Sequence, residues 1–186
     1  MIALIAVAAV ALILIVWFVA LYNRLVSLRV AADDGESEID VQLKRRHDLI
    51  PNLVESVKGY AAHERGTFDE VTAARTAAVG ASGVAAQGAA EGQLSQALGR
   101  LFAVAEAYPD LKANQNFLQL QGELTATEDR LQAARRLYNT TVKALNTACV
   151  TIPSRFVAPI AKVSELEFFE LDNPAESAVP QVSFGQ

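Results

Sequence analysis

In 186 residues the chain carries 16 Lys+Arg against 21 Asp+Glu, two histidines and one cysteine, and 52% of it is hydrophobic. The length fits one domain, two at a stretch, and a lone thiol excludes an internal disulfide or a metal site built on cysteines. The acids beyond Lys162 (Glu165, Glu167, Glu170, Asp172 and Glu176) equal the whole net charge of −5; the rest is balanced and offers no basic face for nucleic acid.

Residues 2 to 21 are apolar without a break. A helix of that length spans about 30 Å, the thickness of a bilayer's hydrocarbon. A signal peptide would start with a base, run shorter and end in small residues, whereas Val16-Trp17-Phe18-Val19 stands where the small residues belong. A core helix would keep a polar face. The segment therefore reads as a membrane anchor, with Trp17, Phe18 and Tyr22 at headgroup depth. Arg24, Arg29, Lys44, Arg45 and Arg46 follow it. The positive-inside bias then predicts an outside amino terminus and a cytoplasmic remainder.

Past the anchor, Ile39, Leu43, Ile50, Leu53, Val57, Tyr60, Phe68 and Val71 recur at helical spacing. Pro51 lies in that series; it removes a bond to the His47 carbonyl and predicts a kink or restart at Asp48 to Pro51. Residues 79–92 hold four glycines and no large side chain, which reads as a flexible connection. A second helix is expected over Gln93 to Ala107, ended by Tyr108-Pro109. A third is expected from Asp110 to Val150, about 60 Å long, with Phe117, Leu120, Leu124, Leu131, Ala134, Tyr138, Val142, Leu145 and Cys149 on its stripe. A short helix from Arg155 to Leu166, capped by Ser154, precedes an acidic, proline-punctuated tail from Phe169. Long stripes need partners, so the economical architecture is all-α: an antiparallel helical bundle hung from one membrane helix. The boundaries are 1–22 for the anchor, 23–168 for the bundle and 169–186 for the tail.

The densest polar cluster is Gln42-Leu-Lys-Arg-Arg-His-Asp48. Lys44 would stand about 33 Å of helix beyond the anchor, several times the Debye length of about 8 Å, so lipid is a poor partner for it. Either Asp40, Lys44 and Asp48 pair along their own helix, or the cluster meets a protein. The candidate interaction face is Lys44, Arg45, Arg46, Asn52 and Glu55. His47 and His63 are too far apart on one helix to share a metal and read as surface or groove histidines. Cys149, on the apolar stripe, reads as a small buried hydrophobe. No nucleophile elbow, phosphate loop or ordered triad appears, so neither catalysis nor a cofactor nor a metal is expected. Amides recur on the long helices, where Asn gains little by itself. Asn139 and Asn146, beside stripe residues, are the expected buried register pins; the run at Asn114 to Asn116 suits a cap or a solvent face.

The stretch Ile39-Asp-Val-Gln-Leu-Lys-Arg-Arg-His-Asp-Leu-Ile-Pro-Asn-Leu-Val-Glu-Ser-Val-Lys-Gly-Tyr60, continuing to His63-Glu64, resembles a signature of the LemA family. Ala107-Tyr-Pro-Asp-Leu-Lys-Ala-Asn-Gln-Asn-Phe-Leu-Gln-Leu-Gln121 resembles a second one, continued by Thr127-Glu128, Ala134-Arg135 and Tyr138-Asn139. The resemblance implies a bacterial single-pass protein of the cell (inner) membrane with an up-and-down four-helix arrangement. Magnetosome-membrane proteins are among the family's relatives, and no enzymatic activity or cofactor comes with it. The expected function is a non-enzymatic scaffold or adaptor held in the bilayer by residues 2–21. It would serve membrane or cytoplasmic protein partners, or copies of itself. The alternative is a membrane-shaping or lipid-contacting protein that uses an amphipathic stretch, Ser154 to Glu167, with Phe156, Ile160, Val163, Phe168 and Phe169 at the interface.

Overall fold

The computed structural model describes residues 1–170 and forms six helices among them: α1 (Ile2–Lys58), α2 (Arg65–Gly80), α3 (Val84–Glu106), α4 (Pro109–Lys112), α5 (Gln115–Val150) and α6 (Ser154–Val157). No strand occurs among the described residues, as the all-α reading expects. The expected tail lies outside them except for Phe169 and Glu170, and Phe169 is buried.

Residues 2–20 of α1 are exposed throughout. They form a stretch long and apolar enough to cross a membrane, with no side of it covered by the rest of the chain. Further on, α1 runs unbroken through Pro51, contrary to the expected kink or restart. The reason lies in the neighbouring α2. Proline supplies no amide to the His47 carbonyl, but Arg75 Nε donates to that oxygen at 2.7 Å. A side chain replaces the missing backbone bond.

The chain forms two compact units. Unit 1 joins residues 1–43 to residues 128–168. Within it Gly35 faces Tyr138, and a Cβ placed on the glycine would lie 3.3 Å from Tyr138 Cα. Leu25 clusters with Leu145 and Ala148. Numbers rise along α1 as they fall along α5, so the two helices are antiparallel here. Val157, Ala158 and Val163 close the same cluster. The helix expected from Arg155 to Leu166 shrinks to the four residues of α6. Ser154 does not cap it; its Oγ donates back to the Ala148 carbonyl at 2.7 Å and the Thr151 carbonyl at 3.1 Å, satisfying the end of α5.

Unit 2 joins residues 44–127 to Phe169 and Glu170 among the described residues. Five helices feed its core: Ile50, Leu53 and Val57 from α1, Phe68 and Val71 from α2, Leu94, Leu98 and Leu101 from α3, Leu111 from α4, Phe117 and Leu124 from α5. Phe102 and Phe117 meet edge to face, centroids 6.5 Å apart. The expected flexible connection at 79–92 is reduced to Ala81–Gly83, Gly83 having φ 84°. From Val84 onward that stretch is α3, because small residues let another backbone come close. At Gly88 an added Cβ would sit 1.9 Å from the Glu170 carbonyl oxygen. The third helix also breaks, into α4 and α5. Asn114 Oδ1 accepts the amides of Asn116 (2.9 Å) and Phe117 (3.1 Å), which caps α5.

Candidate functional site

The interior of unit 2 contains charge. On α1 the apolar series passes from Leu43 to Ile50 with a turn left over, and Arg46 and His47 occupy it, both buried. On α3 the stripe Leu94, Leu98, Leu101 extends backward to Glu91, which is 0% exposed. Arg46 Nη1 donates to Glu91 Oε2 at 2.8 Å. His47 Nε2 lies 2.6 Å from Oε1, and since a carboxylate can only accept, that nitrogen carries the proton. Gln87 Nε2 donates to the same oxygen at 3.1 Å and to the Ala78 carbonyl at 3.1 Å. Arg46 Nη2 reaches Ser95 Oγ at 2.7 Å, whose hydroxyl in turn donates to the Glu91 carbonyl at 3.0 Å.

Desolvating a carboxylate and a guanidinium costs several kcal/mol each unless geometry and further hydrogen bonds restore it. Here both carboxylate oxygens are engaged, by the guanidinium of Arg46, the imidazole of His47 and the amide of Gln87. Both oxygens of Glu91, which is 0% exposed, are taken up by these donors.

This geometry corrects the expected interaction face. Arg46 is not part of a surface, and His47 is not a surface histidine; both belong to the buried centre. His63 is exposed. Lys44, Arg45, Asn52 and Glu55 are exposed. Lys44 donates to Asp48 at 2.8 Å, and this hydrogen bond holds the Asp48 carboxyl below the ordinary carboxylate range. Glu55 pairs with Lys58 at 2.7 Å. Sequence reasoning missed Glu91, Gln87, Ser95 and Arg75. A signal existed: Glu91 is the one acid between Glu70 and Glu106 and stands in phase with the leucines of α3.

In unit 1 the expected pins separate. Asn146 is half-buried and pairs through both ends of its amide with the backbone of Leu166: Nδ2 donates to the Leu166 carbonyl and Oδ1 accepts the Leu166 N–H, each at 2.9 Å. It pins an extended segment, not a facing helix. Asn139 is half-buried on the same helix. Tyr138 OH donates to the Glu167 carbonyl at 3.0 Å; burial, with the nearby charge of Glu36, pushes its phenol up. Cys149 is partly buried against the unit 1 core. Burial, then the charge of Glu165, raises its thiol, the opposite of what a nucleophile needs. Of the expected lipid-facing residues, Phe156 (68% exposed), Ile160 (61%) and Phe168 (40%) are accessible, whereas Val163 and Phe169 are buried. No group of three or more metal-ligating side chains occurs among the described residues.

A profile of the LemA family matches residues 35–184. The magnetosome protein MamQ of Magnetospirillum gryphiswaldense is 26% identical over 181 aligned residues, covering 83% of this chain and 66% of that protein. A second MamQ, of Paramagnetospirillum magneticum, is 27% identical over 180 residues with the same coverage. Protein LemA of Metamycoplasma hominis is 26% identical over 167 residues, 83% of this chain and 75% of that one. The chain thus spans just under two thirds of the length of the magnetosome relatives it matches.

Proposed function

The chain belongs to the LemA family, and from that premise we propose that it is a membrane-anchored, non-enzymatic scaffold whose bundle presents a polar helical face to protein partners or to copies of itself. The observation that carries this reading is the buried ionic centre: the one deeply buried cluster of titratable groups among the described residues joins α1 to α3. The bundle is built to be a stable body, and what remains for recognition is its outside. The relatives named for the magnetosome, a membrane-bounded structure, support a membrane setting.

Residues 2–21 of α1 provide the span. Positive charge on Arg24 and Arg29, just past it, favours a cytoplasmic bundle. The face for a partner is the outer side of α1 in unit 2, with Lys44, Arg45, Asn52 and Glu55. Arg45 makes no ion pair among the described residues and is the best single contact. Lys44→Glu with Arg45→Glu, followed by crosslinking in intact membranes and mass spectrometry, tests it. The expected result is loss of the crosslinked species formed by the wild-type chain. Retention of every crosslink would reject this face. A reporter fused after Gln186 that is active only outside the cytoplasm would reject the orientation.

A further inference from the structure

In unit 1 a cavity of about 340 Å³ opens between α1 and α5 at the membrane-proximal end. Leu21, the last residue of the apolar run, lines it, together with Arg24, Leu25, Lys143, Thr147 and Ala148. Its volume lies in the range of small-molecule sites. Two features separate it from an ordinary groove. Arg24 from α1 and Lys143 from α5 bring two cations to its lining, neither has an acid partner among the described residues, and no carboxylate lines the cavity. The second is its depth along the membrane normal. The headgroup layer extends roughly 5–7 Å beyond the hydrocarbon, about four residues of helix, which places Arg24 within it when the hydrocarbon ends at Leu21.

The surface beside the cavity agrees. Thr151 and Ser154 line its lower edge, and around them Val150 (53%), Ile152 (74%) and Phe156 (68%) are exposed. Large exposed apolar side chains where α5 ends and α6 begins, beside the end of an apolar span, suit the boundary between headgroups and acyl chains. Leu21, Leu25 and Ala148 give the cavity an apolar side, while Arg24 and Lys143 give it a cationic one. This is the polarity of a lipid at the glycerol level.

We propose that this cavity is a site for an anionic glycerophospholipid: the guanidinium of Arg24 and the ammonium of Lys143 take the phosphodiester, and the upper acyl chain lies against Leu21. The proposal rests on the membrane span and is independent of the partner face on unit 2. Guanidinium and ammonium groups form charge-assisted hydrogen bonds with phosphate, and basic pockets beside membrane helices select anionic headgroups. The occupant would also fasten α5 to the bilayer, so that unit 1 meets the membrane through two helices instead of one.

The test uses the full chain in membranes of equimolar phosphatidylglycerol and phosphatidylcholine, with carbonate extraction first and native mass spectrometry of retained lipid second. The wild-type protein should resist carbonate and retain phosphatidylglycerol in preference to phosphatidylcholine. The double variant Arg24→Gln, Lys143→Gln, altered at two exposed positions, should stay in the membrane and bind phosphatidylglycerol about tenfold more weakly, the worth of one or two charge-assisted bonds. Lys112→Gln, which removes a base of unit 2, should leave retention unchanged. Equal retention by wild type and double variant would overturn the proposal. So would displacement of the lipid by inorganic phosphate, which would make the cavity a site for a free anion. Release of the wild-type chain by carbonate would instead sink the membrane span, and the lipid site with it.

Discussion

Both units bury polar groups, but by opposite means. In unit 2 a carboxylate from α3 meets a guanidinium and an imidazole from α1, so the join depends on side chains of complementary charge. In unit 1 neutral groups, the amide of Asn146 and the phenol of Tyr138, hold the backbone of Leu166 and Glu167. A charge removed from its partner stays buried and uncompensated, whereas a neutral amide removed exposes only a backbone pair that water can serve. The two interiors should therefore fail differently, and unit 2 more severely.

The largest expected effect is at Glu91. Glu91→Gln removes the charge that Arg46 requires and should cost about 3–5 kcal/mol, the usual penalty for breaking a buried pair from one side. Thermal unfolding of the full chain in detergent, followed by circular dichroism, measures it. Arg46→Met combined with Glu91→Leu should be milder than Glu91→Gln alone, since removing both charges removes the desolvation burden. A double variant worse than the single one would mean that packing, not charge, dominates the centre.

Next comes Asn146→Ala, which strands the Leu166 amide and carbonyl. A loss of about 2 kcal/mol is expected, with hydrogen exchange at the Leu166 amide accelerated while exchange in α3 stays slow. Equal acceleration in both places would erase the distinction drawn between the units.

A smaller effect separates two glycines of α3. At an open helical site Gly→Ala gains up to about 1 kcal/mol, and Gly99 has nothing within 4 Å of an added Cβ. At Gly88 the same methyl would strike the Glu170 carbonyl, so overpacking of about 1–3 kcal/mol opposes the gain. Gly99→Ala should raise the melting temperature. Gly88→Ala should not, and it should expose the chain near Phe169 to protease.

The smallest effect is chemical. Because burial raises the Cys149 thiol, less thiolate exists at any given pH than in a free cysteine, whose ordinary value is about 8.5. Alkylation by iodoacetamide should therefore reach half its limiting rate at a higher pH in the folded chain than after denaturation. An unchanged midpoint would place the thiol in water.

The centre of unit 2 shows where legibility ended. The series Ile39, Leu43, Ile50 was plain, and so was the empty turn between its last two members; Arg46 and His47 filled that turn but read as surface because charge alone in a sequence defaults to solvent. Glu91 was hidden for a related reason, since its glycine- and alanine-rich surroundings carry little packing signal. Pro51 pointed correctly to an orphaned His47 carbonyl, but the guanidinium that satisfies it comes from Arg75, 28 residues on. Asn146 was singled out because an amide within an apolar stripe needs a partner, yet nothing local named Leu166.

The sequence by itself determined the apolar span, the helical class, the stripes and the family, because these depend on local periodicity and on a long, specific pattern of residues. Only the tertiary structure decided which charges are interior, that α3 begins at Val84, and that Arg24 and Lys143 share a cavity. Those outcomes depend on which distant side chains meet, and a hydrogen bond or an ion pair has no periodicity from which it can be read.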